Sequence, residues 1–422
     1  VELPAEIPRG NETGPPSGTG REVFPDPKSF SNSSISVGKG RSVEQARPKT
    51  ALHHRSSTGN AMHHTLFISL VLTSGFFVGS GTGHLQAAEI VVRDTESLRA
   101  AIRDLKPGTT LKIAPGEYPG GHYVSGVADL TIEGLDPDDP PRFVGGSNAW
   151  QFSRCPNLTL RHLKMSGQTG NGLNLDDGGR FDEPVRGITL EHLQISDIGP
   201  RGNFDGIKCS GLDEMTIRDC TVTGWGGQGI DMVGCHRSLI TGCRFVGKPG
   251  FTASAAVQTK GGSSEVTIEK CHFINAGERP LNIGGSTGLT LFRPSGVKYE
   301  AKSIVARDNV IEGSSCAAAF VGVDGAEFIG NTILYPEKWI FRILQETTAP
   351  GFAPARNVLI KDNRIVFRRS QVSVDVNIGG GTEPESFRFV GNHWFAEDRP
   401  QASKPNLPVA EIDGKYGTDP RQ

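Results

Sequence analysis

Short strand-like triplets recur along the chain, each with a polar residue in the middle. They are Leu173-Asn-Leu175, Ile207-Lys-Cys209, Ile230-Asp-Met232, Val257-Gln-Thr259 and Leu281-Asn-Ile283, then Phe341-Arg-Ile343 and Val374-Asp-Val376. Side chains of an extended strand alternate between faces, so the middle residues share one outward face. That face carries Asn174, Lys208, Asp231, Gln258 and Asn282, with Arg342 and Asp375 further on. A long polar stripe of this kind suits an extended glycan. Elimination from a uronide needs cations to neutralise the substrate carboxylate and a base for the adjacent proton. Lys208 stands one repeat from Asp231, and an ion pair there favours the charged amine and disqualifies Lys208 as base. Lys260 has no acidic residue in the four positions before it and is the candidate base. Arg279 and Lys208 then neutralise charge, and Asp231 orients Lys208.

Other residues extend the stripe. Asp205 precedes Lys208 and, with Asp231, forms a carboxylate pair that hydrolysis would require instead. Trp225 offers a sugar-stacking face. Arg342, Gln345 and Glu346 with Asp375 and Asn377 form a second polar cluster, in which an Arg342–Asp375 ion pair between coils is expected. His236 and His272 lack metal-ligand spacing and read as turn or surface residues.

The elements that carry these residues belong to a repeat. Leu158-Thr-Leu-Arg-His-Leu163, Met215-Thr-Ile-Arg-Asp-Cys220, Val266-Thr-Ile-Glu-Lys-Cys271 and Val358-Leu-Ile-Lys-Asp-Asn363 are members of one series. It recurs about every 29 residues between Leu135 and Asn392, a period that marks a solenoid. The runs alternate with period two, favour β-branched residues and end at Gly or Asn, which excludes helix. The expected fold is all-β: a right-handed parallel β-helix of about ten coils. The closing residue of each unit passes from Leu through Cys220, Cys243 and Cys271 to Asn309, Asn331, Asn363 and Asn392. Stacked coils turn these into ladders of buried thiols, not disulfides, and of hydrogen-bonded amides. A short helix over Ser97–Leu105 would cap the open end, with Thr110 beginning the first strand.

Composition sets the outer limits. The chain has 422 residues, 44 Lys+Arg against 46 Asp+Glu, and a formal net charge of −2. No basic surplus supports nucleic-acid binding. Its 55 glycines are about twice the ordinary share of roughly 7%. Glycine pairs such as Gly226-Gly227 and Gly261-Gly262 are expected to reverse the backbone with positive φ. Residues 1–61 read as a disordered or untranslated upstream extension. Met62 to Ala88 has the layout of a secretory signal, with an apolar run from Leu66 to Val78 too short to span ~30 Å of hydrocarbon. The remainder divides into a β-helix over 89–398 and a tail over 399–422 that covers the last coil. A secreted, periplasmic or surface-exposed monomer with no transmembrane anchor is expected.

The run Leu111-Lys-Ile-Ala-Pro-Gly-Glu-Tyr118 resembles the first coil of β-helix polysaccharide enzymes of the pectate-lyase-like superfamily. The order Lys260 then Arg279 is similar to the Lys and Arg pair of the alginate lyase and chondroitinase B family. That resemblance implies a polysaccharide lyase acting on an acidic polysaccharide, with Lys as base and Arg assisting the leaving group. Leu281-Asn-Ile-Gly284 stands where that family has Leu-Arg-His-Gly, and Phe251-Thr-Ala-Ser-Ala-Ala256 lacks its acidic calcium ligands. No metal ligand set is therefore assigned, and the cofactor is left open. Gly227-Gln-Gly229 is faintly similar to the Gly-His-Gly of polygalacturonases. The alternatives to a lyase are a non-catalytic carbohydrate-binding or adhesion module and a polygalacturonase-like hydrolase.

Overall fold

The computed structural model describes residues 88–422. The extension expected over 1–61 and the secretory signal expected over 62–88, apart from Ala88, lie outside the described residues. Strands stack coil on coil into three long sheets of thirteen, ten and twelve strands, plus a two-stranded piece. Successive coils pair in parallel, as in Leu173–Asp176 with Ile207–Ser210 and Thr189–Glu191 with Thr216–Arg218. This is the parallel β-helix that the repeat implies.

The stacking explains the repeat's period. A strand of the thirteen-stranded sheet ends at a left-handed residue, and the next side chain turns inward. The left-handed position is His162, His192, Asp219, Gly242, Lys270, Asp308, Gly330, Asp362 and Gly391 on successive coils, with φ from 52° to 67°. The inward residue that follows is the Leu, Cys or Asn of the ladder. Cys220, Cys243 and Cys271 are buried free thiols. Each Sγ lies 3.8–3.9 Å from a carbonyl of the coil before: Leu190, Ile217 and Ile240 respectively. The asparagines do the same job with a stronger donor. Asn309, Asn331 and Asn363 each donate Nδ2 to the next Asn Oδ1, at 2.9, 3.1 and 2.8 Å, and to a carbonyl of the coil before. Asn392 ends the series on Glu411 Oε1 at 2.8 Å.

Both ends are closed, since an open sheet edge leaves unpaired backbone groups. The helix runs over Thr95–Arg103 and is started by Asp94, whose carboxylate accepts from Ser97 N at 2.8 Å in a capping box. It begins two residues earlier than the apolar pattern indicates, because Thr95 and Glu96 form the capped first turn. Its Leu98 and Ala101 are buried. The first strand is Glu89–Val92, ahead of the helix, and pairs with Thr110–Ile113. At the other end Lys415–Tyr416 pairs with His393–Ala396, and Glu411 holds Asn392 and Trp394.

Glycine acts differently at the two pairs singled out. Gly261 and Gly262 do reverse the chain, at φ 62° and 92°. Gly226 and Gly227 have no positive φ. They are needed for close approach, because a Cβ would lie 1.9 Å from Gly199 O at the first and 2.6 Å from Asp205 Oδ1 at the second.

Asn331 links two coils with no water to replace it, being fully buried. Asn331→Leu removes the Oδ1 that accepts from Asn309 N and Nδ2 and the Nδ2 that donates to Ala306 O, though Asn363 Oδ1 keeps the Asn331 backbone N–H, and each unsatisfied buried group costs about 1–3 kcal/mol. Urea denaturation is expected to show a loss of about 3 kcal/mol, and Cys243→Ala, which removes only a weak donor, a loss less than half as large.

Candidate active site

The ten-stranded sheet carries the outward stripe in strict register. Tyr123, Gln151, Asn174, Lys208, Asp231, Gln258, Asn282, Ala319, Arg342 and Asn377 occupy equivalent positions on ten successive strands. Strands lie about 4.8 Å apart, so the stripe is roughly 43 Å long. Loops leave the ends of these strands and wall the stripe in its middle. There the strands Gln228–Val233 and Leu281–Gly284 are buried on both faces.

The centre of the walled section is an ion cluster. Lys208 Nζ pairs with Asp231 Oδ2 and stands 3.5 Å from Asp205 Oδ2. Lys260 Nζ stands 3.1 Å from Asp231 Oδ1 on the other side. Reading Lys260 as free of acidic neighbours is therefore corrected: its acid lies 29 positions earlier in sequence but one coil away in space. Lys260 faces Asp231 Oδ1 as an ion-pair partner and also reaches Gln258 Oε1 at 3.5 Å. Asp231 is fully buried and Asp205 1% exposed, while the Lys208 and Lys260 side chains keep 21% and 13% of their surface. The carboxylates thus form the floor and the amines the accessible layer.

The charges follow from this layering. Burial pushes the Asp205 carboxyl up to about 6, helped by Asp231 and opposed by Lys208, the Gln228 backbone N–H and Lys260. Burial also penalises the charge on Asp231, but Lys260 and Lys208 outweigh it and hold that carboxyl below its usual range. Burial works against the charge on Lys208 too, and Asp231 with Asp205 more than compensates, raising its proton affinity. Lys208 is a fixed cation, as the sequence indicates.

Amides flank the cluster. Gln258 Nε2 donates to Gly284 O at 3.2 Å, and Gln228 Nε2 donates to Ser254 Oγ at 2.9 Å. Gln228 Oε1 and Asn282 Oδ1 are buried with no partner. Asn174 lies on the other side, where its Nδ2 donates to Asp176 Oδ2 at 2.9 Å alongside Gln151 and Ser153. Glu300, fully buried, pins the walls: it accepts from Gly261 N at 2.9 Å, Thr287 N at 2.9 Å, Thr287 Oγ1 at 2.7 Å and Thr347 Oγ1 at 2.5 Å. Gln228, Asp176 and Glu300 are absent from the sequence-derived site. Gln228 lies three residues before Asp231 and Glu300 inside a long loop, so alternation does not reach them.

Three sequence expectations are corrected. Trp225 is fully buried, donates Nε1 to Ala255 O at 2.8 Å and meets Phe245 edge-on, so it offers no face to a sugar. The strand near Asp375 begins two residues later than expected, at Val376–Ile378, which aligns Arg342 with Asn377. Arg342 Nε accordingly donates to Asn377 Oδ1 at 3.1 Å and rests 4.4 Å from the Trp339 ring centre, whereas Asp375 pairs with Arg369 at 2.6 Å. Arg279 joins this second cluster through Glu346 at 3.5 Å. Among the described residues no group of three or more His, Cys, Asp or Glu side chains is placed to hold a metal ion.

Comparison with known proteins agrees with this architecture. A family model described as a right-handed beta helix region matches residues 148–333. No curated protein matches the chain in sequence. Among solved structures, the A-module of a mannuronan C-5 epimerase from Azotobacter vinelandii is similar with a TM-score of 0.53 at 11% identity, covering 77% of this chain and 95% of the module. An alginate lyase from a Paenibacillus species aligns at 18% identity and a TM-score of 0.48, covering 71% of this chain and all of the lyase. The catalytic domain of a GH87 alpha-1,3-glucanase aligns at 12% identity and a TM-score of 0.41, covering 73% of this chain and 69% of the glucanase. The chain is a right-handed parallel β-helix.

Proposed function

We propose that the walled stripe binds an acidic polysaccharide and cleaves it by β-elimination. One observation carries this reading: two lysine amines converge on a single buried carboxylate, between the unpartnered buried acceptors Gln228 Oε1 and Asn282 Oδ1. Unpartnered acceptors ask for donors, and sugar hydroxyls are donors. The amines ask for an anion in the layer above Asp231, and a uronate carboxylate is one. The likeness to the A-module of a mannuronan C-5 epimerase supports the polymer class. The export signal expected over 62–88 supports a substrate outside the cytoplasm.

In this reading Lys208 stays charged and neutralises the uronate carboxylate, which makes the adjacent C–H more acidic. Lys260 gives up its own proton to solvent as the substrate displaces its ion pair with Asp231, and the neutral amine then takes the proton from that carbon. Arg279 stands with Glu346 in the neighbouring cluster and assists a charged group further along the chain. Asp231 keeps both amines in place.

A second reading is a binding module without chemistry, and the commitment of both lysines to Asp231 favours it. Hydrolysis by the Asp205–Asp231 pair is less well supported. Their shared contacts with Lys208 put the carboxylates within about 6 Å, near the spacing that glycosidases use. Both, however, lie beneath Lys208, where a glycosidic oxygen does not reach.

Absorbance at 235 nm, from the unsaturated uronide, is to be followed on alginate, pectin and glycosaminoglycans. Elimination predicts a signal on one of them that falls about 10²–10⁴-fold in Lys260→Ala. A signal untouched by that change overturns the assignment of Lys260, and glycan binding without any signal establishes the binding module.

The cluster also predicts a pH dependence. The folded Asp205 carboxyl titrates near 6, above its unfolded value of 3.8, so folding takes up protons and stability falls as pH rises from about 4 to 6. Asp231 has the opposite sign: its contribution is present above about 4 and is lost as pH falls through its lower folded value. Denaturant titrations between pH 4 and 7 are expected to show Asp205→Asn gaining on the parent protein as pH rises.

A further inference from the structure

A cavity of about 270 Å³ opens at the turns that leave the ten-stranded sheet, away from the ion cluster. His236, Ser264, Tyr299, Phe181 and Pro294 line it. Asp213, His236 and Ser264 occupy equivalent positions on three successive coils, joined by parallel bridges. His236 Nδ1 and Ser264 Oγ are 2.9 Å apart. In the tautomer that carries its proton on Nε2, the neutral ring accepts from the Ser264 hydroxyl at Nδ1. That is the tautomer a general base requires. Burial keeps the ring neutral, lowering its proton affinity; Asp213 and Glu265 oppose this and Arg237 adds to it. Asp213 is fully buried, with Oδ2 held by Arg237 and Arg186 and Oδ1 unpartnered. His236 is thus a member of a Ser–His–Asp ladder, not a turn residue alone.

We propose that Ser264 and His236 form a nucleophile–base pair that hydrolyses short-chain acyl esters in this cavity. Ser264 Oγ attacks the ester carbonyl carbon as its proton passes to His236 Nδ1. The acyl C–O bond breaks, and the alcohol leaves with that proton. Water then attacks the acyl-Ser264 ester, giving a proton to His236. Ser264 leaves with it, and the carboxylic acid departs. The Asp213 carboxylate stabilises the imidazolium formed in each half. The Tyr299 hydroxyl, which lines the same cavity and which burial keeps protonated, donates to the developing oxyanion. Phe181, stacked under Arg293 at 4.1 Å, and Pro294 limit the acyl group to a short chain.

The test treats the full chain with a fluorophosphonate probe, maps the adduct by peptide mass spectrometry and measures repeated turnover of p-nitrophenyl acetate. The adduct is expected on Ser264. Turnover is expected to fall about 10²–10⁴-fold in both Ser264→Ala and His236→Gln. No adduct on Ser264, or turnover unchanged in folded Ser264→Ala, overturns the proposal. The labelling arm uses the unsubstituted chain and stays decisive if a variant does not fold. Neither arm depends on cleavage of a polysaccharide.

Discussion

Every coil of this protein must offer its backbone N–H and carbonyl groups to the coil above and the coil below. Buried peptide groups left unpaired cost too much to tolerate, so parallel register is obligatory along the stack. Register in turn makes each side-chain position a column. A column passes any mismatch to its neighbours, which is why residue types persist over several coils and then change together. The change from Cys271 to Asn309 shows the rule. Both side chains face a carbonyl of the coil before, at 3.9 Å for the thiol and 3.0 Å for the amide, so the geometry is kept while the donor strengthens. The asparagines add a link that the thiols do not make, from side chain to side chain, and they serve the half of the stack that ends on Glu411.

The same column logic builds the ion cluster. Lys208 and Asp231 are in register on adjacent strands, and Lys260 reaches back two residues from the next position in that column. Two buried carboxylates would destabilise a free-standing sheet, since burial penalises both charges. Here the lysines cover Asp231, and the environment separates the acids: Asp231 is held ionised and Asp205 is pushed toward the neutral form. The arrangement stores one negative charge under two positive ones, which leaves a surplus of positive charge facing the groove. An overall net charge of −2 gives no hint of this, because the surplus is local.

How far the amino-acid order reveals these features depends on distance in sequence. Alternation places Asn174, Lys208, Asp231, Gln258 and Asn282 on one face, and register alone then brings them together. The Lys208–Asp231 pair is legible for that reason. The Lys260–Asp231 contact is not, because it joins positions that are neither neighbours in sequence nor at the same register level. Trp225 misleads because an aromatic residue before a glycine pair looks like a loop feature, whereas the Gly199 backbone packs against Gly226 and draws the tryptophan inward. A two-residue shift, from Val374 to Val376, exchanges Asp375 for Asn377 beside Arg342, and alternation cannot choose between them because residues two apart share a face. Glu300 is hidden for a further reason. It binds loops to a turn through neutral donors, with no opposite charge in the sequence to announce it.

Loops leave the stack only at the turns, so chemistry can be added there without breaking a ladder. Glu300 illustrates the consequence. Its carboxylate joins the turn after Lys260 to the segments at Thr287 and Thr347, and its backbone stays in the sheet network through Gly262 and Gly322. The groove wall is therefore anchored to the coil that carries Lys260. A wall free to move would expose the unpartnered Gln228 and Asn282 oxygens to water, which would satisfy them and remove their demand for a ligand. Pinning the wall keeps those acceptors buried and without a protein donor. The rigid stack tolerates that local cost because each coil draws its stability from the coils on either side, not from its own groove residues.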